Sequence, residues 1–270
     1  MVSWIGYAAM GLLGVVLGLI GAGGSILAVP IFVYLFAVPA TQATGYSLLV
    51  VGATAALGAA GYVRRGEADL RTAAIFSPPA ILGVYLTRRF FVPAIPEVIG
   101  EVGGVVVTRD LALLLVFALF MIVAAISMIH VPRGGKAWGS HDEERRSIRL
   151  PLVLAEGLGV GLLTGLVGAG GGFMIIPALV ILVGLPMRRA IGTSLVIIAA
   201  KSLLGFIGEA QGAASVDYAF LAAVTVTPLF GILLGMRLNR RLTPARLRVS
   251  FGWFVLLMGF YILFREMLSA

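Results

Sequence analysis

The chain has 270 residues, of which 60% are hydrophobic and 12% are charged, and its formal net charge is +8. A soluble domain carries about 25% charged residues, so this composition excludes a water-soluble globular protein and favours one that lies in a lipid bilayer. The basic residues form short clusters between apolar runs, which is typical of loops beside lipid headgroups and excludes a basic nucleic-acid-binding face.

The N-terminal 63 residues contain no Asp, Glu, Lys or Arg. Their first apolar run, residues 4–20, lacks the basic start of a secretory signal peptide. A copy of this run occurs in the middle of the chain, where nothing can be cleaved. We therefore interpret it as a structural membrane helix.

A glycine cluster at residues 21–24 follows, and then a short apolar segment, residues 25–36, that contains Pro30. A segment of this length reaches roughly 18 Å at about 1.5 Å per residue, whereas a hydrocarbon core is about 30 Å thick. Proline also removes a backbone hydrogen bond. We predict a half-helix that folds back from the first helix as a hairpin, with its tip at the middle of the membrane.

Longer apolar runs occur further along the chain. Those long enough to span a bilayer are residues 43–63, 111–129, 152–167, 190–207, 218–236 and 249–264. A shorter run, residues 72–86, contains Pro78 and Pro79. We expect residues 90–110 to form an irregular or surface-lying insertion, and residues 131–150 to form a solvated linker.

The second half of the chain repeats the first. Residues 168–172 copy residues 21–25 at a separation of 147 positions, and the register extends to Pro177, which matches Pro30. Duplication within an apolar chain is typical of a transporter built from two repeats. Each half is predicted to contain one hairpin and three crossings, and an odd number of crossings inverts the second half relative to the first.

The predicted fold is an all-α polytopic membrane protein with two inverted-topology repeats. Each repeat is a broken, re-entrant helix hairpin followed by three transmembrane helices. We assign the first repeat to residues 1–130, a cytoplasmic linker to residues 131–150 and the second repeat to residues 151–270.

The positions of the basic residues agree with this inversion under the positive-inside rule. The linker and the connection after residue 236 are rich in arginine and are expected in the cytoplasm, whereas residues 209–217 contain no basic residue and are expected outside. Arg88 and Arg89 disagree, because this arrangement places them outside. They either snorkel at a helix end or gather anions at the external mouth.

The two glycine clusters predict an anion site. Glycine leaves backbone N–H groups unshielded, and a helix N-terminus carries about half a positive charge. Two such ends that face each other at the membrane midplane would bind an anion without a fixed charge. The residues of the two tips are Gly21, Gly23, Gly24, Ser25, Gly168, Gly170, Gly171 and Gly172.

Close helix packing is the alternative role for these glycines. It is the favoured role for Gly14 and Gly18, and for Gly231 and Gly235, which are spaced four residues apart. At the two tips, the duplication and the short helices favour the binding site.

Lys201 is the strongest single candidate side chain. It is one of two lysines and lies within the apolar run 190–207, where a charge costs about 2.5–3.5 kcal/mol on insertion scales and needs a partner or a wet cavity. It either attracts an anionic substrate or pairs with a carboxylate such as Glu156 or Glu209, and the sequence leaves both roles open.

Hydroxyl groups in the third helix of each half add further candidates. Ser47, Thr193 and Ser194, together with Tyr46 and Ser202, can donate hydrogen bonds to oxyanion oxygens. Serine and threonine also serve as packing contacts between membrane helices, so a structural role remains open for some of them.

Enzymatic, metal and cofactor roles find no support in the sequence. There is no cysteine, the two histidines lack ligand spacing, and no catalytic, phosphate-loop or dinucleotide motif occurs. We expect no enzyme activity, no cofactor and no nucleic-acid partner. The expected partners are a small anionic substrate, the lipid bilayer, and a proton or sodium ion for coupling.

Residues 18–25 read Gly-Leu-Ile-Gly-Ala-Gly-Gly-Ser and residues 165–172 read Gly-Leu-Val-Gly-Ala-Gly-Gly-Gly; each is followed by a proline and by Ala-x-Gly-x-Ser-Leu. These paired motifs resemble the sulfite exporter TauE/SafE family over nearly the whole chain. The resemblance implies a multi-pass carrier of the inner (plasma) membrane for small sulfur-containing anions, such as sulfite or sulfonate-type acids.

On this resemblance Gly21, Gly23, Gly24 and Gly168, Gly170, Gly171 are the repeat signature. The predicted function is a secondary transporter that exports a small oxyanion by alternating access. An anion channel or an uptake carrier for another small anion is the alternative. Thr87 departs from the pattern, because glycine at this position would complete the spacing seen at Gly231 and Gly235.

Overall fold

The computed structural model describes residues 4–102, 105–130, 150–167, 175–176, 179–180, 183–212, 217–239, 241 and 243–269. This part of the chain is mostly helical. In chain order, its helices are α1 (Trp4–Ile20), the broken helix α2, α3 (Ala40–Arg64), α4 (Leu70–Leu86), α5 (Arg109–His130), α6 (Leu150–Val167), α7 (Met187–Gly212), α8 (Tyr218–Asn239) and α9 (Pro244–Ser269). The predicted linker lies almost wholly outside the described residues.

Several of these helices are apolar enough to lie in a membrane. Gln42–Arg64, Met187–Ile207 and Tyr218–Asn239 are also long enough to cross one, and shorter apolar helices include Trp4–Ile20 and Val153–Leu166. The expectation of an α-helical membrane protein is confirmed.

The helix α2 folds back along α1, as predicted. It consists of a 3-10 segment (Ala22–Leu27), one α-helical turn (Ala28–Pro30) and a π-helical turn (Ile31–Leu35). A Cβ added to Gly24 would lie 2.6 Å from the backbone nitrogen of Leu17, and one added to Gly6 would touch the ring of Phe36. The segment therefore starts and ends beside the two ends of α1.

The sequence places this half-helix at residues 25–36, with a regular N-terminus near Ser25. In the structure the helix begins earlier, at Ala22, because Gly21 makes the turn: its φ of 77° and ψ of −121° suit glycine alone. Pro30 does not end the helix. The chain instead continues as a π-helical turn beyond it.

Two pairs of helices are joined by glycine seams. A Cβ on Gly231 would overlap with the carbonyl oxygen of Gly11, and one on Gly235 with that of Val15. Because positions increase together along both helices, α1 and α8 run parallel. Packing is thus the role of Gly14, Gly18, Gly231 and Gly235, as the sequence favoured.

The helices α4 and α6 meet in the same way. A Cβ on Gly83 would lie 2.6 Å from the carbonyl oxygen of Leu158, and one on Gly161 would overlap with that of Ala80. Thr87 closes this seam against Gly165, and its hydroxyl donates to the Leu162 carbonyl at 3.2 Å. Thr87 is buried, so the departure from glycine is accommodated by a hydrogen bond.

The helices α3 and α7 cross in the interior. Gly52 packs against Leu203, Gly58 approaches Leu195, and Gly205 lies near Leu48. Because the residue numbers of the contacts decrease along α7 as they increase along α3, the two helices run antiparallel. The helix α4 also packs on α7, α8 on α3, and α5 on α9.

The insertion after α4 contains regular secondary structure, so the irregular form of the prediction is wrong. It is exposed, as expected, but it is ordered: the π-helical turn Thr87–Phe91 and the turn Val92–Ala94 lead into an antiparallel hairpin of β1 (Val98–Val102) and β2 (Val105–Thr108). The β-branched residues of residues 98–108 explain the strands.

Candidate functional site

The first glycine tip lies against the early part of α7. A Cβ on Gly21 would lie 3.0 Å from the hydroxyl of Ser194 and 3.1 Å from the carbonyl oxygen of Ile191. No side chain caps the start of α2. Gly23 lies in the same 3-10 segment, and Ser25 is buried in it.

The sequence places this tip at the membrane midplane; in the structure it lies beside the early part of α7. Ile191 and Ser194 lie about 6–11 Å from the first residue of α7, a helix about 39 Å long at 1.5 Å per residue. The side chain of Asn239, the last residue of α8, donates to the Leu19 carbonyl just before the tip. Because α1 pairs with α8 up to that residue, the tip is carried towards one end of the molecule.

The second tip cannot be placed in the same way. Gly168, Gly170, Gly171 and Gly172 lie outside the described residues. A face-to-face arrangement of two tips therefore stays a prediction.

Ser47 and Ser194 are both fully buried and make the same local hydrogen bond. The Ser47 hydroxyl donates to the Thr44 carbonyl at 2.7 Å, and the Ser194 hydroxyl donates to the Ile191 carbonyl at 2.8 Å. These bonds are local and serve the helix. Ser194 is the one that meets the Gly21 tip.

Thr193 and Tyr46 hold the starts of helices from the other half. Thr193 Oγ1 accepts a hydrogen bond from the Asp69 backbone N–H at 2.8 Å, and the Tyr46 hydroxyl accepts one from the Asp217 N–H at 3.2 Å. Asp69 also caps α4 by accepting from the Thr72 N–H at 3.0 Å. The sequence missed these contacts, although an aspartate before a helical run is a recognisable N-cap.

Lys201 is 1% exposed and lies near the middle of α7. Its ammonium group donates to Thr164 Oγ1 on α6 at 3.2 Å, and Thr164 in turn donates to the Val160 carbonyl. No carboxylate among the described side chains pairs with it. The suggested pair with Glu156 is wrong, since both carboxylate oxygens of Glu156 lack a described partner. The side chain of Glu209 is not among those that the structure describes, so a pair of Lys201 with Glu209 stays a prediction.

Lys201 lies on the same face of α7 as Ser194, the residue that meets the first tip. Ser194 and Lys201 are seven residues apart on α7, so they share one face and are separated by about 10 Å along the axis. The Ser202 hydroxyl beside Lys201 is buried and has no hydrogen-bond partner among the described atoms. In the first half, Thr54 occupies the position of Lys201 and donates to the Val50 carbonyl at 2.6 Å.

The site therefore offers a buried cation and hydroxyl groups within an apolar helix bundle. Within the described part of the chain, no group of three or more histidine, aspartate or glutamate side chains is arranged to hold a metal ion. This chemistry suits the binding of an anion. Apolar spanning helices and a buried polar site define the class: a membrane transport protein.

The comparisons with known proteins give the family. Residues 7–262 match the family described as Sulfite exporter TauE/SafE. The chain belongs to this family.

Its relatives bear names of the same kind. A "Probable membrane transporter protein" of Xylella fastidiosa (strain 9a5c) is 29% identical over 264 residues, covering 96% of this chain and 94% of the relative. The corresponding protein of strain Temecula1 is 28% identical over 264 residues, with coverage of 96% and 94%. The "Probable membrane transporter protein YunE" of Bacillus subtilis (strain 168) is 25% identical over 285 residues, with coverage of 99% and 100%. No solved structure matches the chain.

Proposed function

We propose that this protein is a secondary transporter that exports a small sulfur-containing oxyanion, sulfite or a sulfonate, across the inner membrane. The family description and the names of the relatives support a membrane transporter. The observation that carries the anionic substrate is Lys201. Its ammonium group is buried in an apolar helix and has only a neutral hydroxyl as a described partner.

A buried cation without a counter-charge is unfavourable, and a bound anion removes that penalty. Sulfite and sulfonates present several oxygens, which match one ammonium group and the nearby hydroxyls. In this proposal, Gly21 and Ser194 form the approach to Lys201. The remaining signature glycines of the second tip would line the opposite approach.

The inverted-repeat fold is part of the proposal, with the domain boundaries given above. Four sets of contacts support it, because in each of them a contact that one half makes with the other half has a matching contact in the opposite sense. The first helix of the first half, α1, packs parallel to α8 of the second half. In the same way, the first helix of the second half, α6, packs parallel to α4 of the first half. The equivalent helices α3 and α7 run antiparallel, and the hydrogen bonds of Tyr46 and Thr193 correspond.

Flux of labelled sulfite into proteoliposomes tests this function. Lys201→Met keeps the length and apolar stem of the side chain but removes its charge. We expect at least a tenfold loss of flux, since losing a charged contact removes about 1.5–3 kcal/mol. Lys136→Met, at the only other lysine, is the matched control and should transport normally.

Counterflow separates the carrier from a channel. A carrier preloaded with unlabelled sulfite accumulates labelled sulfite transiently, whereas a channel does not. Wild-type protein that moves no sulfur oxyanion would rule out the substrate class, and normal flux through Lys201→Met would rule out the site.

A further inference from the structure

Two hydrogen bonds join the halves of the molecule at matching positions. Thr193 accepts from the Asp69 N–H at 2.8 Å, and Tyr46 accepts from the Asp217 N–H at 3.2 Å. Tyr46 and Thr193 are equivalent under the 147-residue repeat, and each lies in the second turn of its helix, α3 or α7. Because α3 and α7 run antiparallel, the two bonds lie at opposite ends of the molecule.

Each bond joins the N-cap residue of one helix to α3 or α7, the two central helices that cross in the interior. Asp69 Oδ1 accepts from the Thr72 N–H at 3.0 Å and so caps α4, and Asp217 Oδ1 accepts from the Phe220 N–H at 2.9 Å and so caps α8. A movement of α4 or α8 relative to the central helices therefore has to break the corresponding bond.

The glycine seams decide which helices move together. The backbones of α1 and α8 are in contact along one seam, and those of α4 and α6 along the other. Such packing leaves no room for sliding, so each pair behaves as one body. The crossing of α3 and α7 lies between these two bodies.

We propose that these two bonds are the alternating gates of the transporter: Asp69–Thr193 closes one end and Asp217–Tyr46 closes the other. The inference rests on the transport function proposed above. Both gates are closed here, as in an occluded state. Rocking of α4 with α6 opens the first gate, and rocking of α1 with α8 opens the second.

Each gate is backed by further contacts. At the first, a Cβ on Gly192 would overlap with the Glu67 carbonyl oxygen, and Glu67 pairs with Arg65 at 3.0 Å. At the second, aromatic rings surround Tyr46: its ring centroid lies 5.9 Å from that of Phe32 and 6.2 Å from that of Phe220. Each end thus has the same type of backbone-to-hydroxyl hydrogen bond, and different side chains surround it.

The absence of cysteine permits a direct test. Ser47→Cys and Ser194→Cys are equivalent reporters, and both serines are fully buried, so their reaction with a charged thiol reagent reports opening. Thr193→Val and Tyr46→Phe each remove one acceptor and preserve the shape of the side chain. Thr193→Ser keeps the acceptor and is the matched control.

Labelling is measured in vesicles of both orientations. We expect Thr193→Val to raise labelling of Ser194→Cys about three- to tenfold, in line with the net contribution of one hydrogen bond, and only from the face that carries residues 65–69. Tyr46→Phe should raise labelling of Ser47→Cys from the opposite face. Gly192→Ala, which wedges the Glu67 loop off α7, should act as Thr193→Val does.

Selective opening of one end by each substitution supports the gates. Equal labelling of both reporters, a response to only one substitution, or no response overturns them. Thr193→Ser must label as the parent reporter does; a rise there would mean that the side chain acts through packing. Labelling does not depend on sulfite. If the protein opens selectively but does not transport sulfite, the proposed substrate is wrong and the proposed gates still hold.

Discussion

At the scale of single residues, Gly21 combines a positive φ with close contact to a neighbouring helix. Its φ is +77°, and a Cβ added to it would meet Ser194 and Ile191 on α7. Gly66 has a φ of +68° with open space around it, and Gly11 has open space and lies in a regular helix. Comparison of substitutions at these three positions separates the cost of backbone strain from the cost of the contact with α7.

We predict that Gly21→Ala destabilises the protein most, Gly66→Ala less and Gly11→Ala not at all. Left-handed backbone costs a non-glycine residue about 1–3 kcal/mol, and at Gly21 the contact with α7 adds to that strain. Gly11→Ala gains helix propensity. Thermal unfolding in detergent measures the order. Equal stability of Gly21→Ala and Gly66→Ala would show that the tip does not press on α7.

The residues of the site were identified unevenly from the sequence. Lys201 stands out because a charge inside an apolar run needs a reason, but its partner Thr164 lies 37 positions away and no local pattern points to it. The same holds for Thr193, whose partner Asp69 is 124 positions away. Local chemistry reveals which groups need partners, and only the packing decides which partners they find.

At the scale of elements, the glycine seam between α4 and α6 makes a sharp prediction. A Cβ on Gly161 would overlap with the Ala80 carbonyl oxygen, whereas one on Gly159, two residues earlier in the same helix, would meet nothing within 4 Å. Gly161→Ala should cost about 1–3 kcal/mol, the usual penalty for overpacking, and Gly159→Ala should be neutral.

Thermal unfolding of the two variants, purified in the same detergent, checks this difference. Both substitutions have the same effect on helix propensity, so any gap between them comes from the seam. Two variants of equal stability would mean that α4 and α6 are not in contact, and would remove one of the two bodies on which the gates depend.

The helices were largely predictable, and their fine structure was not. Apolar length and glycine spacing identified the spanning helices, the fold-back of α2 and the seam at Gly231 and Gly235. They missed the 3-10 and π-helical turns of α2 and the pairing of Val98–Val102 with Val105–Thr108, because both depend on what the backbone packs against. They also did not show that the first tip meets α7, since the contacts between helices are not visible in either helix alone.

At the scale of the whole molecule, the proposed inverted arrangement predicts that equivalent helices begin on opposite sides of the membrane. Arg71 and Ala219 are the second residues of α4 and α8, and both are exposed. We predict that Arg71→Cys reacts with a membrane-impermeant thiol reagent only from the cytoplasmic face, and Ala219→Cys only from the outer face. The arginines after residue 236 set this orientation under the positive-inside rule.

The experiment uses intact cells and inverted vesicles, with the natural cysteine-free chain as the blank. Each variant then serves as the control for the other, because a leaky membrane would label both from both sides. Labelling of the two cysteines from one common face would mean that α4 and α8 run in the same direction. The halves would then be related by an axis along the membrane normal, and gates at opposite ends could not work in alternation.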